Sequence, residues 1–238
     1  MGESFLTLKN ICCGYSGVDV IKGISFDIPR GAVIGFVGPN GHGKTTILRA
    51  ISGLIRLRSG SIKLRGETIS NLSADRVVAR GVAHMPQGDL VFPQMSVREN
   101  LLMGAYLPAA HADSAKQLEY VYSLFPKLSE RAEQLASGLS GGERRMLGIG
   151  RGLMIKSDLI MIDEPSLGLA PLIIEHIYDV IRALKAEGRT LIVVEENVSR
   201  LTDLADELHL LDDGHIVWSG GGEELMGDDV LMKTYLGG

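Results

Sequence analysis

Ala32-Val33-Ile34-Gly35-Phe36-Val37-Gly38-Pro39-Asn40-Gly41-His42-Gly43-Lys44-Thr45-Thr46 is the stretch on which the reading of this chain turns. Its first six residues are continuously apolar apart from one glycine, as suits a strand buried on both faces. The eight from Gly38 to Thr45 fit G-x-x-x-x-G-K-[ST], and a bound phosphate needs those residue types. Glycines let backbone N–H groups turn inward around an anion. Lys44 brings a point charge to the outer phosphates, and Thr45 offers a hydroxyl to Mg²⁺. A glycine-rich turn with an incidental lysine is the bland alternative. The frame speaks against it, because a buried strand enters the loop and a helix running to about Ser52-Gly53 leaves it.

Outward from this loop the chain alternates. Residues 5–10 and 20–28 are short runs with partial apolar alternation, and 61–64 and 82–85 read as further strands. From about 96 to 153 the reading turns helical. It opens with Ser96-Val97-Arg98-Glu99, a capping box in which the serine and glutamate side chains each satisfy a free backbone N–H. The last third gives strand 159–162, helix 172–187, strand 190–194, a helix near 199–205, and strands 208–211 and 216–218. Ile174, Ile177, Ile181 and Leu184 form one apolar stripe that Gly188 ends. Such alternation implies an α/β fold with a mostly parallel sheet covered on both faces. A helical lobe at about 96–158 is inserted between two parts of one core, 1–95 and 159–238.

Composition agrees with one folding unit. At roughly 150 residues per domain, 238 residues make one large domain or a core with a lobe. Hydrophobic residues at 45% and charged residues at 22% are ordinary for a globular chain. Lys+Arg 24 against Asp+Glu 29 leaves −5, which argues against a dedicated nucleic-acid binder. Glycine, 30 of 238 or about 13%, is in excess of the usual ~7% without any G-X-Y period, so it belongs to turns and ligand loops. Unbroken apolar runs such as 159–162 and 191–194 are far short of the ~18–20 residues that span a bilayer. MGESFLTLKN lacks a basic stretch leading into an apolar one, so no secretory signal is read. Adjacent Cys12 and Cys13 cannot staple a fold or complete a zinc site and are read as buried strand thiols. The expectation is a soluble, cytoplasmic chain.

Two further stretches carry chemistry. The apolar run 159–162 leads into Asp163-Glu164-Pro165. A carboxylate at the end of a buried strand, beside a phosphate loop, is where a Mg²⁺ partner belongs, and Glu164 is placed to orient or deprotonate a water. Leu139-Ser140-Gly141-Gly142-Glu143, ahead of an apolar-periodic stretch, reads as a capped helix start, an ordinary cap or an anion site.

Taken in order, the phosphate loop, LSGGE and LIMIDEP resemble the nucleotide-binding subunit of an ABC transporter, and the resemblance covers nearly the whole chain. The fold so implied is a P-loop NTPase core with an N-terminal antiparallel β portion and the inserted helical subdomain. Ser166-Leu167-Gly168-Leu169-Ala170-Pro171, with Ala170 where most members carry a second aspartate, resembles the ATPases of branched-chain and other hydrophobic amino-acid importers. Val91-Phe92-Pro93, Gly104-Ala105-Tyr106 and Tyr235-Leu236-Gly237-Gly238 point the same way. By this resemblance ATP and Mg²⁺ are the cofactors. Gly38, Pro39, Asn40, Gly41, His42, Gly43, Lys44, Thr45 and Thr46 bind ATP, and Tyr15 stacks on adenine unless it is only a strand-end tyrosine half in solvent. Thr45, Gln87 and Asp163 hold the metal, while Glu164, Gln87 and Glu196 serve catalysis. Ser140, Gly141 and Gly142 contact ATP held by the opposite subunit of a dimer.

The chain departs from that pattern at three places. His42 stands where alanine is usual, and its side chain is expected to point away from phosphate. Arg144-Arg145 replaces Gln-Gln and is expected to form a charged helix face. Glu196 occupies the position of a histidine that contacts the γ-phosphate in the wider family, and of a glutamine in the subfamily. A carboxylate there repels polyphosphate, by up to ~4 kcal/mol at 4 Å and an effective dielectric near 20. Either Glu196 points away, or it is protonated, or catalysis is damped. The implied protein is an ATPase that drives uptake of branched-chain or related amino acids through separate transmembrane permease subunits. Its partner is a second ABC ATPase subunit, identical or related, and no nucleic acid is expected. It would sit in the cytoplasm, on the inner face of the cell membrane. The rivals are a non-transport single-cassette ATPase, such as a cofactor-assembly scaffold, and a catalytically damped binding subunit.

Overall fold

The computed structural model describes residues 4–88 and 90–235. Among these, the strands are β1 (Leu6–Tyr15), β2 (Val18–Ile28), β3 (Val33–Val37), β4 (Leu57–Leu64), β5 (Glu67–Thr68), β6 (Val82–Met85), β7 (Leu159–Asp163), β8 (Thr190–Val194), β9 (Glu207–Asp212) and β10 (His215–Gly220). The helices are α1 (Lys44–Ile51), α2 (Ala74–Val78), α3 (Val97–Leu102), α4 (Pro108–Ala112), α5 (Ser114–Leu124), α6 (Pro126–Glu130), α7 (Gly141–Leu153), α8 (Pro171–Ala186), α9 (Gly222–Gly227) and α10 (Asp229–Tyr235).

The strands form an antiparallel sheet, β2-β1-β4-β5, and a six-stranded sheet, β10-β9-β3-β8-β7-β6. In the second sheet β9, β3, β8, β7 and β6 run parallel, and β10 folds back as an antiparallel edge. Every residue of β3, β7 and β8 is buried. Successive side chains of a strand face opposite ways, so these strands divide their residues between two cores. Val33, Val37, Ile160, Ile162, Leu191 and Val193 join the core containing α3, α7 and α8. Ile34, Phe36, Leu159, Met161, Ile192 and Val194 join the core shared with α1 and the antiparallel sheet. The apolar run that defeats a period-2 reading in sequence is thus two alternating faces, both covered.

Among the described residues between β6 and β7 the named elements are all helical, with one isolated bridge, Ser96↔Leu135, and Val97, Leu101, Val121 and Phe125 pack into the same core as the sheet. The Ser96 capping box forms: Glu99 N donates to Ser96 Oγ at 3.1 Å, and Ser96 N donates to Glu99 Oε2 at 2.7 Å. The stripe Ile174, Ile177, Ile181 and Leu184 is the buried face of α8. Cys13 lies in the second core and Cys12 is half-buried, both as free thiols; burial pushes the Cys13 thiol up to about 11, an inert state at neutral pH.

One expected helix is absent. Instead of a helix over 199–205 there is a single 3₁₀ turn, Val198–Arg200, followed by irregular turns. Asn197 Oδ1 accepts from both Ser199 N and Ser199 Oγ, a local side-chain bond that competes with helix propagation. Asp206 N already donates to Val33 O at 2.8 Å, so the chain must enter β9 there. The terminal motif is described only as far as Tyr235, at the end of α10; Leu236, Gly237 and Gly238 lie outside the described residues. No described helix is long and apolar enough to cross a membrane.

Candidate functional site

The carboxyl ends of β3, β8, β7 and β6 lie side by side, the place where open α/β sheets bind ligands. From β3 the chain enters residues 38–43 in a conformation that only glycine adopts without strain. Gly38 has φ 140°, and a Cβ there would meet Leu211 O at 2.2 Å. Gly43, at φ 109°, precedes α1 directly, and a Cβ on it would meet Ile21 Cδ1 at 2.7 Å. The loop thus runs directly into the start of α1, whose first backbone amides have no acceptor within the helix.

Lys44 is buried, and its Nζ donates to Gly38 O at 2.7 Å, Pro39 O at 3.0 Å and Asn40 Oδ1 at 3.4 Å. Burial pulls its ammonium below the usual lysine range, while Glu164, Glu196, Asp163 and Glu195 act the other way. Thr45 Oγ1 donates to Asp163 Oδ1 at 3.1 Å, joining the first turn of α1 to the end of β7. Asp163 Oδ2 is buried without a donor, and burial raises the carboxyl above the ordinary aspartate range. Thr46 is buried behind them, and a cleft of about 100 Å³ is lined by Asn40, Gly41, Gly43, Lys44, Thr45, Thr46 and Glu164.

Glu164 has φ 46°, an unusual conformation for a residue with a Cβ. Its N–H donates to Val194 O at 2.9 Å, which anchors the strained turn to β8. Gln87 Nε2, from the loop after β6, donates to Glu164 Oε2 at 2.9 Å. Burial first, then Asp163, Glu195 and Glu196, push the Glu164 carboxyl above the usual glutamate range, with Lys44 opposing. A more basic carboxylate is a better proton acceptor at neutral pH.

Sequence reasoning overlooked Glu195. It is buried and accepts three hydrogen bonds: from Tyr178 Oη at 2.7 Å, Ser166 N at 3.1 Å and Ser166 Oγ at 2.9 Å. It therefore pins the loop that follows Glu164. The signal was present in Val194-Glu195, a charge directly after a buried strand. Glu196, the next residue, is exposed and lines a cleft of about 470 Å³ together with Glu164, Ser166, Glu195 and Arg200.

His42 turns away from the loop interior, as expected: its Nδ1 sits 2.8 Å from Asp212 Oδ1. Tyr15 is 44% exposed at the end of β1, and its hydroxyl accepts from Arg49 Nη1 at 2.8 Å. Ser140 caps α7 through a capping box with Glu143, and Ser140 and Gly141 are exposed. No hydrogen bond among the described residues joins Ser140, Gly141 or Gly142 to residues 44–46. Gly141 instead borders a separate cleft of about 180 Å³ with Gly88, Arg145, Glu164 and Leu167–Leu169 as its other walls. Ala170 is the N-cap of α8 and supplies no side-chain cap, with Pro171 in the first turn.

The pair Arg144-Arg145 corrects an expectation. Arg144 is half-buried and donates to Leu139 O at 2.7 Å, but Arg145 does not form a charged helix face. It is 5% exposed, on a helix that packs against β6. Its Nη1 donates to Pro86 O at 2.7 Å and Gly88 O at 2.8 Å, and its Nη2 donates to Asp163 O at 2.6 Å. Helical period, not the pair's polarity, decides which of two adjacent arginines goes inside.

Residues 21–167 match the family described as ABC transporter. The chain is 38% identical over 233 residues to the high-affinity branched-chain amino acid transport ATP-binding protein BraG of Pseudomonas aeruginosa, covering 98% of this chain and 100% of that one. It is 33% identical to the probable branched-chain amino acid transport ATP-binding protein LivF of Archaeoglobus fulgidus, over 94% of this chain and 95% of that one. Among solved structures, the ADP conformation of MJ1267, an ATP-binding cassette of an ABC transporter, superposes with a TM-score of 0.85 at 26% identity, over 98% of both chains. With the phosphate loop, its carboxylates and the capped glycine pair on one scaffold, this chain belongs to the ABC transporter family, as a nucleotide-binding ATPase subunit.

Proposed function

We propose that the chain hydrolyses ATP to drive import of branched-chain or other hydrophobic amino acids through separate permease subunits. It would work as one cassette, its core (1–95 and 159–238) and helical part (96–158) moving about a shared site. The observation that carries the reading is the hydrogen-bonded row Thr45–Asp163 and Gln87–Glu164 beside the buried Lys44. The import assignment is drawn from BraG and LivF, whose names specify branched-chain amino acid transport.

Gly38, Pro39, Asn40, Gly41, His42 and Gly43 contribute backbone to the phosphate cradle, with Thr46 supporting it from α1. Lys44 exchanges its present carbonyl acceptors for the β- and γ-phosphates, a swap of neutral for charged acceptors that favours binding. Tyr15 offers an exposed ring for adenine. The donor set suits Mg²⁺, since Asp163 Oδ2 is a buried oxygen lacking any donor and Thr45 Oγ1 is adjacent. No group of three or more His, Cys, Asp or Glu able to hold a metal occurs among the described residues. Phosphate oxygens, water and Gln87 would therefore complete the ion's shell. When bound, Mg²⁺ neutralises charge developing on the transferring phosphoryl group.

Glu164 takes the proton of the attacking water. The water oxygen bonds to the γ-phosphorus as the bond to the β–γ bridging oxygen breaks, giving ADP and phosphate. Gln87 holds one Glu164 oxygen; the other, among the described residues, has no donor and is open to that proton. Ser140, Gly141 and Gly142, on the exposed start of α7, contact ATP held by a second ATPase subunit, so each site is complete only in a dimer. Glu196 faces the same cleft as Glu164 and bears on the γ-phosphate. Permease contacts keep the chain on the inner face of the membrane.

The test is Glu164→Gln in the full chain with MgATP. Turnover should fall by about 10²-fold or more while ATP binding persists, because only the proton acceptor is lost. Undiminished turnover would remove Glu164 from its role. Co-purification with permease chains, followed by uptake of labelled leucine into proteoliposomes, tests the transport assignment.

A further inference from the structure

The ladder between β6 and β7 ends at Met85↔Ile162. Beyond it β6 gives way to the loop that carries Gln87, while β7 runs on into Asp163-Glu164. Backbone carbonyls past the end of a ladder need new donors, and here one side chain from a different element supplies three. Arg145, buried on α7, bonds the carbonyls on both sides of Gln87, those of Pro86 and Gly88, and the carbonyl of Asp163, next to Glu164. The planar guanidinium fixes these three carbonyls relative to one another, because its donors are rigidly forked.

We propose that Arg145 is a positioning residue for ATP hydrolysis: it extends the β6–β7 pairing by a side chain and so keeps the Gln87 amide on Glu164. This rests on the reading of Glu164 and Gln87 given above. A helix that begins at the exposed Ser140 is thereby tied to the residues around the reacting water. A displacement of α7 would be felt at Gln87 through this one group. Glutamine has a single donor nitrogen, and lysine, with three donors radiating from one point, lacks the two separate nitrogens by which Arg145 serves the two segments.

A double-mutant cycle in the full chain decides it, using Arg145→Gln, Gln87→Ala and the pair, with kcat, ATP KM and thermal stability measured for each. Arg145→Gln should lower kcat about tenfold or more with ATP KM within about twofold, because the phosphate contacts are untouched. The pair should be no slower than the slower single variant, since both remove one contact. Arg145→Lys should fail to restore kcat, and it replaces Arg145→Gln in the cycle if that variant does not fold. Multiplying losses, or an Arg145 variant with wild-type kcat, would overturn the proposal while leaving Gln87 its role. If Gln87→Ala itself turns over at the wild-type rate, the role given to Gln87 falls and the proposal falls with it.

Discussion

Acidification should weaken this protein in part through His209, and replacing that one residue should remove its share of the effect. His209 lies in β9, 4% exposed, with its ring 5.4 Å from the Phe26 centroid and 5.2 Å from that of Phe36. Nδ1 is 2.7 Å from Ser219 Oγ, whereas Nε2 is buried without a partner. A proton on Nε2 would have no acceptor. Burial accordingly pushes the imidazole from 6.5 down to about 4. A histidine depressed in the folded state is protonated first in the unfolded chain, so its contribution is complete above the unfolded value and is lost as pH falls toward about 4. At about 1.4 kcal/mol per pH unit the ceiling is about 3 kcal/mol, of which about 2 kcal/mol is lost between pH 7 and 5. His209→Phe cannot titrate and keeps an aromatic ring beside Phe26 and Phe36; Ser219, which is exposed, can turn to water. Urea unfolding of both proteins at pH 7, 6 and 5 gives the comparison. His84, also depressed to about 4 by burial and by Arg49, is present in both and cancels. The variant should gain about 2 kcal/mol on the wild type across that range. Parallel pH dependences would refute the argument.

Glu196→Gln should tighten ATP binding while leaving ADP nearly unchanged, because only ATP brings a γ-phosphate to the cleft that Glu196 lines; calorimetric titration reads the ratio, and an unchanged ratio retires this residue from the site. Gly38→Ala, which drives a Cβ against Leu211 O at a φ of 140°, should abolish nucleotide binding in the same calorimeter and lower stability by about 2 kcal/mol or more in chemical unfolding. MgATP should double the sedimenting mass of the Glu164→Gln protein, and a constant mass at micromolar concentration would speak against a homodimer.

Strand positions were largely readable because burial on both faces produces runs such as 159–162 and 190–194 that little else explains. The phosphate loop was readable for a related reason: its glycines answer to backbone geometry fixed within eight residues. The short helices α9 and α10 and the two-residue β5 are too brief to set up a period, and they went unread. Long-range side-chain bonds left the weakest trace. Arg145 differs from Arg144 only in its phase on α7, which says nothing of the three carbonyls it bonds, and Glu195 gains its three donors from residues 17 and 29 positions away. The 3₁₀ turn at Val198–Arg200 shows the opposite case, a helical pattern undone by one asparagine side chain.

Lys44, Glu164, Gln87 and Glu196 each follow a different strand of one parallel sheet, and only the pairing of those strands sets their relative heights. Phe36 and Asp163 are both paired with Val194, and Met85 with Ile162. One residue of slippage in any of these ladders would move a reacting group by about 3.3 Å and send neighbouring side chains to the wrong core. The sheet thus acts as a ruler as well as a support. Substitutions deep in β7 or β8, touching no nucleotide, should register as altered turnover before they register as unfolding, and a screen for activity would recover them as readily as changes in the loops.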